Sequence, residues 1–179
     1  MSRRGDWEIK KWMDRDIKVA QLFNCVCNVS KEDAIRYCGI SENRLNTLDN
    51  MHYIEKKVDN RGNYYYRTTK EGRDVFEEKT GIRGYISNSY KHDKILYDVF
   101  VSLSDDEQRS WLTEHEQRQI AEDNGYDLSE VSICDGAYMN SNGDMVYVEV
   151  VTSDYTEKMI EKKIEYVNMI GGIYDEHRI

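Results

Sequence analysis

The chain has 179 residues, 33% of them charged and 39% hydrophobic, and its 25 basic and 34 acidic side chains give a net charge of −9. That length suits one domain or two small ones, and the apolar content argues against disorder throughout. A membrane span is excluded on the sequence, because no run of about eighteen apolar residues occurs. No apolar segment follows Arg3 and Arg4, so no secretory signal is expected and a cytoplasmic location is. Proline is absent, which leaves turns to Gly, Asn, Asp and Ser.

The charge is unevenly shared. Residues 1–83 carry 17 Lys and Arg against 14 Asp and Glu, a balance of +3, whereas residues 84–179 carry 8 against 20, a balance of −12. An acidic total argues against nucleic acid as a partner, because phosphate contacts dominate that affinity. The objection applies to the second part only. The asymmetry predicts two modules, 1–83 and 84–179, with different partners; the alternative is two differently solvated faces of one domain.

In chain order, residues 7–26 space Trp7, Trp12, Ile17, Ala20, Phe23 and Val26 as a helix would. A break is expected at Asn28-Val29. Ser30 to Asp33 then opens a second helix as a capping box does, with Ala34, Ile35 and Cys38 inward and Gly39 ending it. Ser41 caps a third helix, Glu42–Asn50. Its apolar positions are Leu45 and Leu48, and its other face shows Asn43, Arg44, Asn46, Thr47 and Asn50. Two β-prone runs, 53–58 and 63–68, flank the turn Asp59-Asn-Arg-Gly62 and read as a hairpin. In it, Tyr64 and Tyr66 are expected on one buried face. A closing helix follows over 69–76.

This series resembles the winged helix-turn-helix family over about residues 15–80. The resemblance implies that the third helix enters a DNA groove and that the hairpin is a wing. Asn and Arg side chains can pair with adenine and guanine edges, and Lys56, Lys57 and Arg61 are suited to phosphates or the minor groove. The alternative is a winged helix that binds protein.

In the second module, residues 95–103 fit a strand by alternation or a helix through Leu96, Val99, Phe100 and Leu103. The charged stretch 105–122 is anchored by Trp111 and Ile120. Runs 131–139 and 145–151 form a hairpin around Asn140–Asp144. Residues 154–170 carry a helical stripe through Tyr155, Met159, Ile160, Ile164, Val167 and Ile170, ended by Gly171-Gly172. The whole is expected to be α+β: a winged helix followed by a small α/β layer.

Asp135 stands near the end of one strand and Glu149 inside the next, between Val148 and Val150. A carboxylate in an apolar strand is costly unless paired, and Mg²⁺ is one such partner. The pattern resembles the nuclease superfamily defined by an Asp, a hairpin and Asp/Glu-x-Lys, with Glu114 or Glu116 as its earlier helical Glu. Val151 stands where that superfamily has its Lys, and Lys158 or Lys162 on the next helix are the available substitutes. Without the Lys, the other reading is a pair of carboxylates left in an inactive fold.

Both parts together resemble the replication-relaxation proteins of plasmids and integrative elements, through His92, Trp111 with Glu114, Asp135-Gly136, Val148-Glu149-Val150 and Lys163-Ile164-Glu165-Tyr166. The resemblance implies a winged helix joined to a degenerate nuclease-like domain, acting in plasmid or conjugative DNA processing. Cys25, Cys27, Cys38 and Cys134 form no C-x-x-C pair, and His52, His92, His115 and His177 have no ligand spacing. Buried thiols and a structural His92 are expected, and no cofactor.

Three functions remain open. The first is a non-catalytic, site-specific binder of double-stranded DNA whose acidic half dimerises or docks a replication or transfer enzyme. The second is a Mg²⁺-dependent nickase using Glu114, Asp135 and Glu149, with Asp135 and Glu149 as metal ligands. The third is a phage-type regulator or anti-defence protein whose acidic half imitates nucleic acid.

Overall fold

The computed structural model describes residues 12–85 and 87–179; Trp7, expected on the first helix, lies outside them. In chain order the elements are α1 (Asp14–Val26), β1 (Asn28–Ser30), α2 (Lys31–Cys38), α3 (Glu42–Asn50), β2 (Ile54–Val58), β3 (Tyr64–Thr68) and α4 (Lys70–Thr80), then α5 (Tyr90–Ser102), α6 (Asp105–Arg109), β4 (Leu112–Thr113), α7 (Glu114–Asp123), β5 (Gly136–Met139), β6 (Met145–Val151), α8 (Glu157–Met169) and β7 (Ile173–Arg178). The fold is mixed α+β. Among the described residues one sheet has the strand order β1-β3-β2 and the other β4-β5-β6-β7.

Short hydroxyl side chains start α2, α3 and α4. Ser30 Oγ accepts the Asp33 amide, Ser41 Oγ that of Arg44, and Thr69 Oγ1 that of Gly72, each such cap being worth about 1 kcal/mol. Gly39 ends α2 at φ 65°, where a Cβ is disfavoured. The expected break at Asn28-Val29 is strand β1, antiparallel to β3. The β2–β3 hairpin turns on Asp59, whose carboxylate accepts the amides of Arg61 and Asn63. Tyr66 is buried, but Tyr64 lies at the turn end of the hairpin, paired with Val58, and is 56% exposed, which corrects the expectation that both are core.

Residues 95–102 fall within helix α5, where Leu96, Tyr97 and Phe100 are buried, and Leu103 is its extended C-cap; the i, i+4 spacing wins over the alternation. Ile120 is exposed, and Gln117 and Ala121 face inward on α7 instead. The strand expected over 131–139 is confined to β5, so Asp135 stands just before it. On α8 the buried positions are Lys163, Tyr166 and Val167, while Met159 is exposed. Strand β7, parallel to β6 beyond α8, is an addition to the expected elements.

One apolar cluster crosses residue 83. Phe23, Leu45 and Phe76 belong to the same buried group as Leu96, Phe100, Trp111, Val148 and Val150. A smaller cluster of Ala121, Ile133 and Tyr166 lies elsewhere in the second half. Among the described residues, no helix is long and apolar enough to cross a membrane.

Candidate nucleic-acid interface and buried carboxylate cluster

Leu45 and Leu48 bury the inner side of α3 completely or nearly so, which turns Asn43, Asn46 and Asn50 outward as exposed side chains. Thr47 is half-buried and its hydroxyl donates to the Asn43 carbonyl at 2.8 Å. Arg44 differs from the others. Its Nε donates at 2.8 Å to Oδ1 of Asp16, a buried carboxylate of α1. The guanidinium is thereby fixed in direction at the near end of α3. Arg15, which sequence reasoning passed over, joins Asn43, Arg44 and Thr47 around a shallow hollow of about 300 Å³. Its exposed position in the first turn of α1 gave no periodic signal.

On the hairpin, Lys56 is exposed and its ammonium lies 4.0 Å from the centre of the Tyr64 ring, a cation–π contact. Lys57 pairs with Glu55 at 2.9 Å. Arg61 is exposed at the turn, in no ion pair among the described residues.

The carboxylates of the second half are placed quite differently. Asp135 is buried just ahead of β5, and its Oδ2 accepts the Val150 amide at 2.8 Å. The same oxygen faces His92 Nε2 at 3.0 Å, while His92 Nδ1 faces Asp93 Oδ1 at 3.0 Å. The Tyr85 hydroxyl reaches Asp135 Oδ1 at 3.4 Å. A carboxylate can only accept, so an imidazole between two of them is satisfied when both ring nitrogens donate. Burial by itself would depress the His92 pKa, but the hydrogen bonds that it donates to Asp135 and Asp93, and their charges, outweigh it and raise it to about 10. Burial raises the Asp93 carboxyl, which is also held by the Asn28 amide at 3.0 Å and Nδ2 at 2.6 Å.

Glu149 is fully buried in β6. Lys163 of α8 donates to its Oε2 at 2.6 Å and to the Ile133 carbonyl at 2.7 Å. Burial and the neighbouring Asp135 charge raise the Glu149 pKa, and Lys163 offsets part of that rise. The lysine that meets this carboxylate is therefore Lys163. Lys158 and Lys162 lie on the exposed side of α8, because a helix places residues 158 and 162 away from the side that carries 163, 166 and 167.

Glu114 is engaged by a different cation. Its Oε1 accepts from Arg118 at 2.6 Å and 3.0 Å, beside a hollow of about 280 Å³ shared with Tyr85 and His115. Glu116 is a capping residue, its carboxylate accepting the amides of Thr113 and Arg83. Mg²⁺ requires open, oxygen-rich coordination and retains water. This donor set does not fit it: Asp135 is held by a histidine and an amide, Glu149 Oε2 by an ammonium and Glu114 by a guanidinium, which leaves Glu149 Oε1 as the one buried oxygen of the three without a hydrogen-bond partner. Among the described residues, no group of three or more His, Cys, Asp or Glu could hold a metal ion. All four cysteines are free and buried.

Trp111 accounts for the glycine after Asp135. A Cβ on Gly136 would come within 2.1 Å of Trp111 Cζ2, so the indole lies directly over the strand that leads from the cluster.

No family model matches the chain, and no curated protein or solved structure matches it.

Proposed function

We propose that the chain is a non-catalytic, site-specific binder of double-stranded DNA, with residues 1–83 a winged helix-turn-helix and residues 84–179 a nuclease-like layer that serves as scaffold and docking module. The observation that carries this reading is the outward row Asn43, Asn46 and Asn50 on α3. It is backed by Leu45 and Leu48 and accompanied by a hairpin with exposed Lys56 and Arg61. The sheet order β1-β3-β2 after α1 and around α2 and α3 supports the winged-helix assignment. In the second half, an antiparallel β5–β6 pair followed by α8 and a parallel β7 supports the nuclease-like one.

The carboxylates support a non-catalytic role because Asp135 is held by His92 and the Val150 amide, Glu149 Oε2 by Lys163 and Glu114 by Arg118, so that Glu149 Oε1 is the one buried oxygen among the three that lacks a partner. A homodimer follows from the same reading: one short helix reads few base pairs, and two half-sites multiply affinity. The partner of the acidic half would be a replication or transfer enzyme of a mobile element. Selection of bound duplexes from a random-sequence pool tests the reading. Enrichment of one motif, bound with steep salt dependence, is expected. Equal, weak retention of every sequence would refute it.

A further inference from the structure

A cleft of about 810 Å³ runs between the hairpin and the start of α5. Its hairpin wall presents Arg61 and Asn63; its α5 wall presents Asn88 and Lys91. Tyr65 of β3 and Tyr90 of α5 also line it, their rings stacked 4.7 Å apart and 11° from parallel, which joins the two walls. The cleft is thus made by both halves of the chain and is continuous with the wing.

Its electrostatics contrast with the −12 of the half that supplies one wall. Lys91 is exposed and, like Arg61, forms no ion pair among the described residues. The acidic side chain among the cleft's lining residues, Asp59, is turned into the hairpin, where its oxygens accept two backbone amides and Asn63 Nδ2 at 2.8–3.0 Å; Ile179 also lines the cleft. Lys94, deeper in, is held by Asp98 and by Asp33 at 3.5 Å. Two unpaired cations in one cleft, together with the Asn88 amide, match a chain of phosphodiesters, which needs spaced positive charge and N–H groups.

We infer that this cleft is a second backbone-binding site for the DNA held by the first half, with Lys91 of the acidic half and Arg61 of the wing gripping successive phosphates. The inference rests on the DNA-binding reading and adds a contact from the half that reading reserves for protein partners. Nucleic acid is favoured over an acidic peptide because the wing forms one of the walls.

Binding of a short labelled mixed-sequence duplex at low salt, followed by fluorescence anisotropy, provides the test. Such binding reports phosphate contacts whatever the sequence. Lys91→Glu should weaken it about three- to tenfold, and Lys91→Gln should lower the slope of log K against log salt by about one. Lys162→Glu, the same charge change on the exposed side of α8, should do much less. Thermal melts of each variant show that it folds. Lys91→Glu equal to the parent, while Arg61→Glu binds poorly, would overturn the second site and leave the DNA reading standing. A parent chain that binds no duplex at low salt would overturn both. Competition by polyglutamate as effective as that by duplex would overturn the site as one for nucleic acid.

Discussion

Lys163 Nζ lies 2.6 Å from Glu149 Oε2, with the carboxylate fully buried and the lysine side chain 9% exposed. The pair crosses from α8 to the middle of β6, and the lysine's second bond, to the Ile133 carbonyl, ties in the loop before β5. Removing one member of such a pair strands a charge and typically costs about 3–5 kcal/mol, whereas replacing both with apolar groups is often near neutral. Lys163→Met should therefore destabilise by that amount in urea denaturation. Glu149→Met with Lys163→Met should recover most of the loss. A single variant as stable as the parent would show that the contact is not formed in solution.

His92 makes stability fall toward alkaline pH. Its folded pKa, raised to about 10 from 6.5 by Asp135 and Asp93, means that the folded chain keeps a proton that the unfolded chain releases. The contribution is complete below about pH 6.5 and fades as pH rises through about 10. Melting temperature should decline across that window, and His92→Gln, which cannot carry the charge, should flatten the decline. Identical pH profiles for parent and variant would contradict the charged imidazole.

Gly136 tests the packing beside Asp135. An alanine Cβ there meets Trp111 Cζ2 at 2.1 Å, and the indole is itself buried against Phe100, edge to face at 5.3 Å. With little room to yield, Gly136→Ala should cost about 1–3 kcal/mol, as overpacked cores do. Far less loss would mean that the indole moves aside freely.

The first half was largely legible because its signals are local. Ser30, Ser41 and Thr69 announce helix starts within three residues, and Leu45 with Leu48 leaves the polar side of α3 outward without help from distant parts of the chain. The second half depends on long-range partners. Strand β7 reads Ile-Tyr-Asp-Glu-His-Arg, with no alternation to mark it, because it is an edge strand whose pairing is supplied by β6. The lysines expected as substitutes are Lys158 and Lys162, because nothing local marks Lys163 as buried; only Glu149, fourteen residues earlier, gives its ammonium a counter-ion. Tyr64 failed for a related reason. Alternation places it with Tyr66, but the hairpin extends beyond the core at that point, so the ring covers the Lys56 side chain instead.

Supercoiled plasmid incubated with Mg²⁺ or Mn²⁺ should stay intact, and the melting temperature should not rise with either ion. Both outcomes follow from internal donors already holding Asp135 and one of the two Glu149 oxygens. Ligand that binds only the folded state raises its stability, so a metal-dependent rise would reveal a site these side chains do not offer. Nicking that disappears in both Asp135→Ala and Glu149→Ala would return the chain to the nucleases.

Asn43 and Asn46 should separate recognition from folding, and Arg44 should not. The two asparagines are exposed on α3, so replacing both with Ala should leave the urea midpoint nearly unchanged. If each reads a base edge at about 1–3 kcal/mol, selective affinity should fall at least tenfold while low-salt binding to mixed sequence persists. Arg44 instead neutralises Asp16, whose side chain is 2% exposed, and its loss leaves that carboxylate unpaired in the core. Arg44→Ala should therefore lower stability together with affinity, and the further change Asp16→Asn should restore the stability alone. Anisotropy with matched and scrambled duplexes, run beside urea titrations, distinguishes these outcomes. Full selectivity in the double asparagine variant would remove α3 as the element that reads sequence.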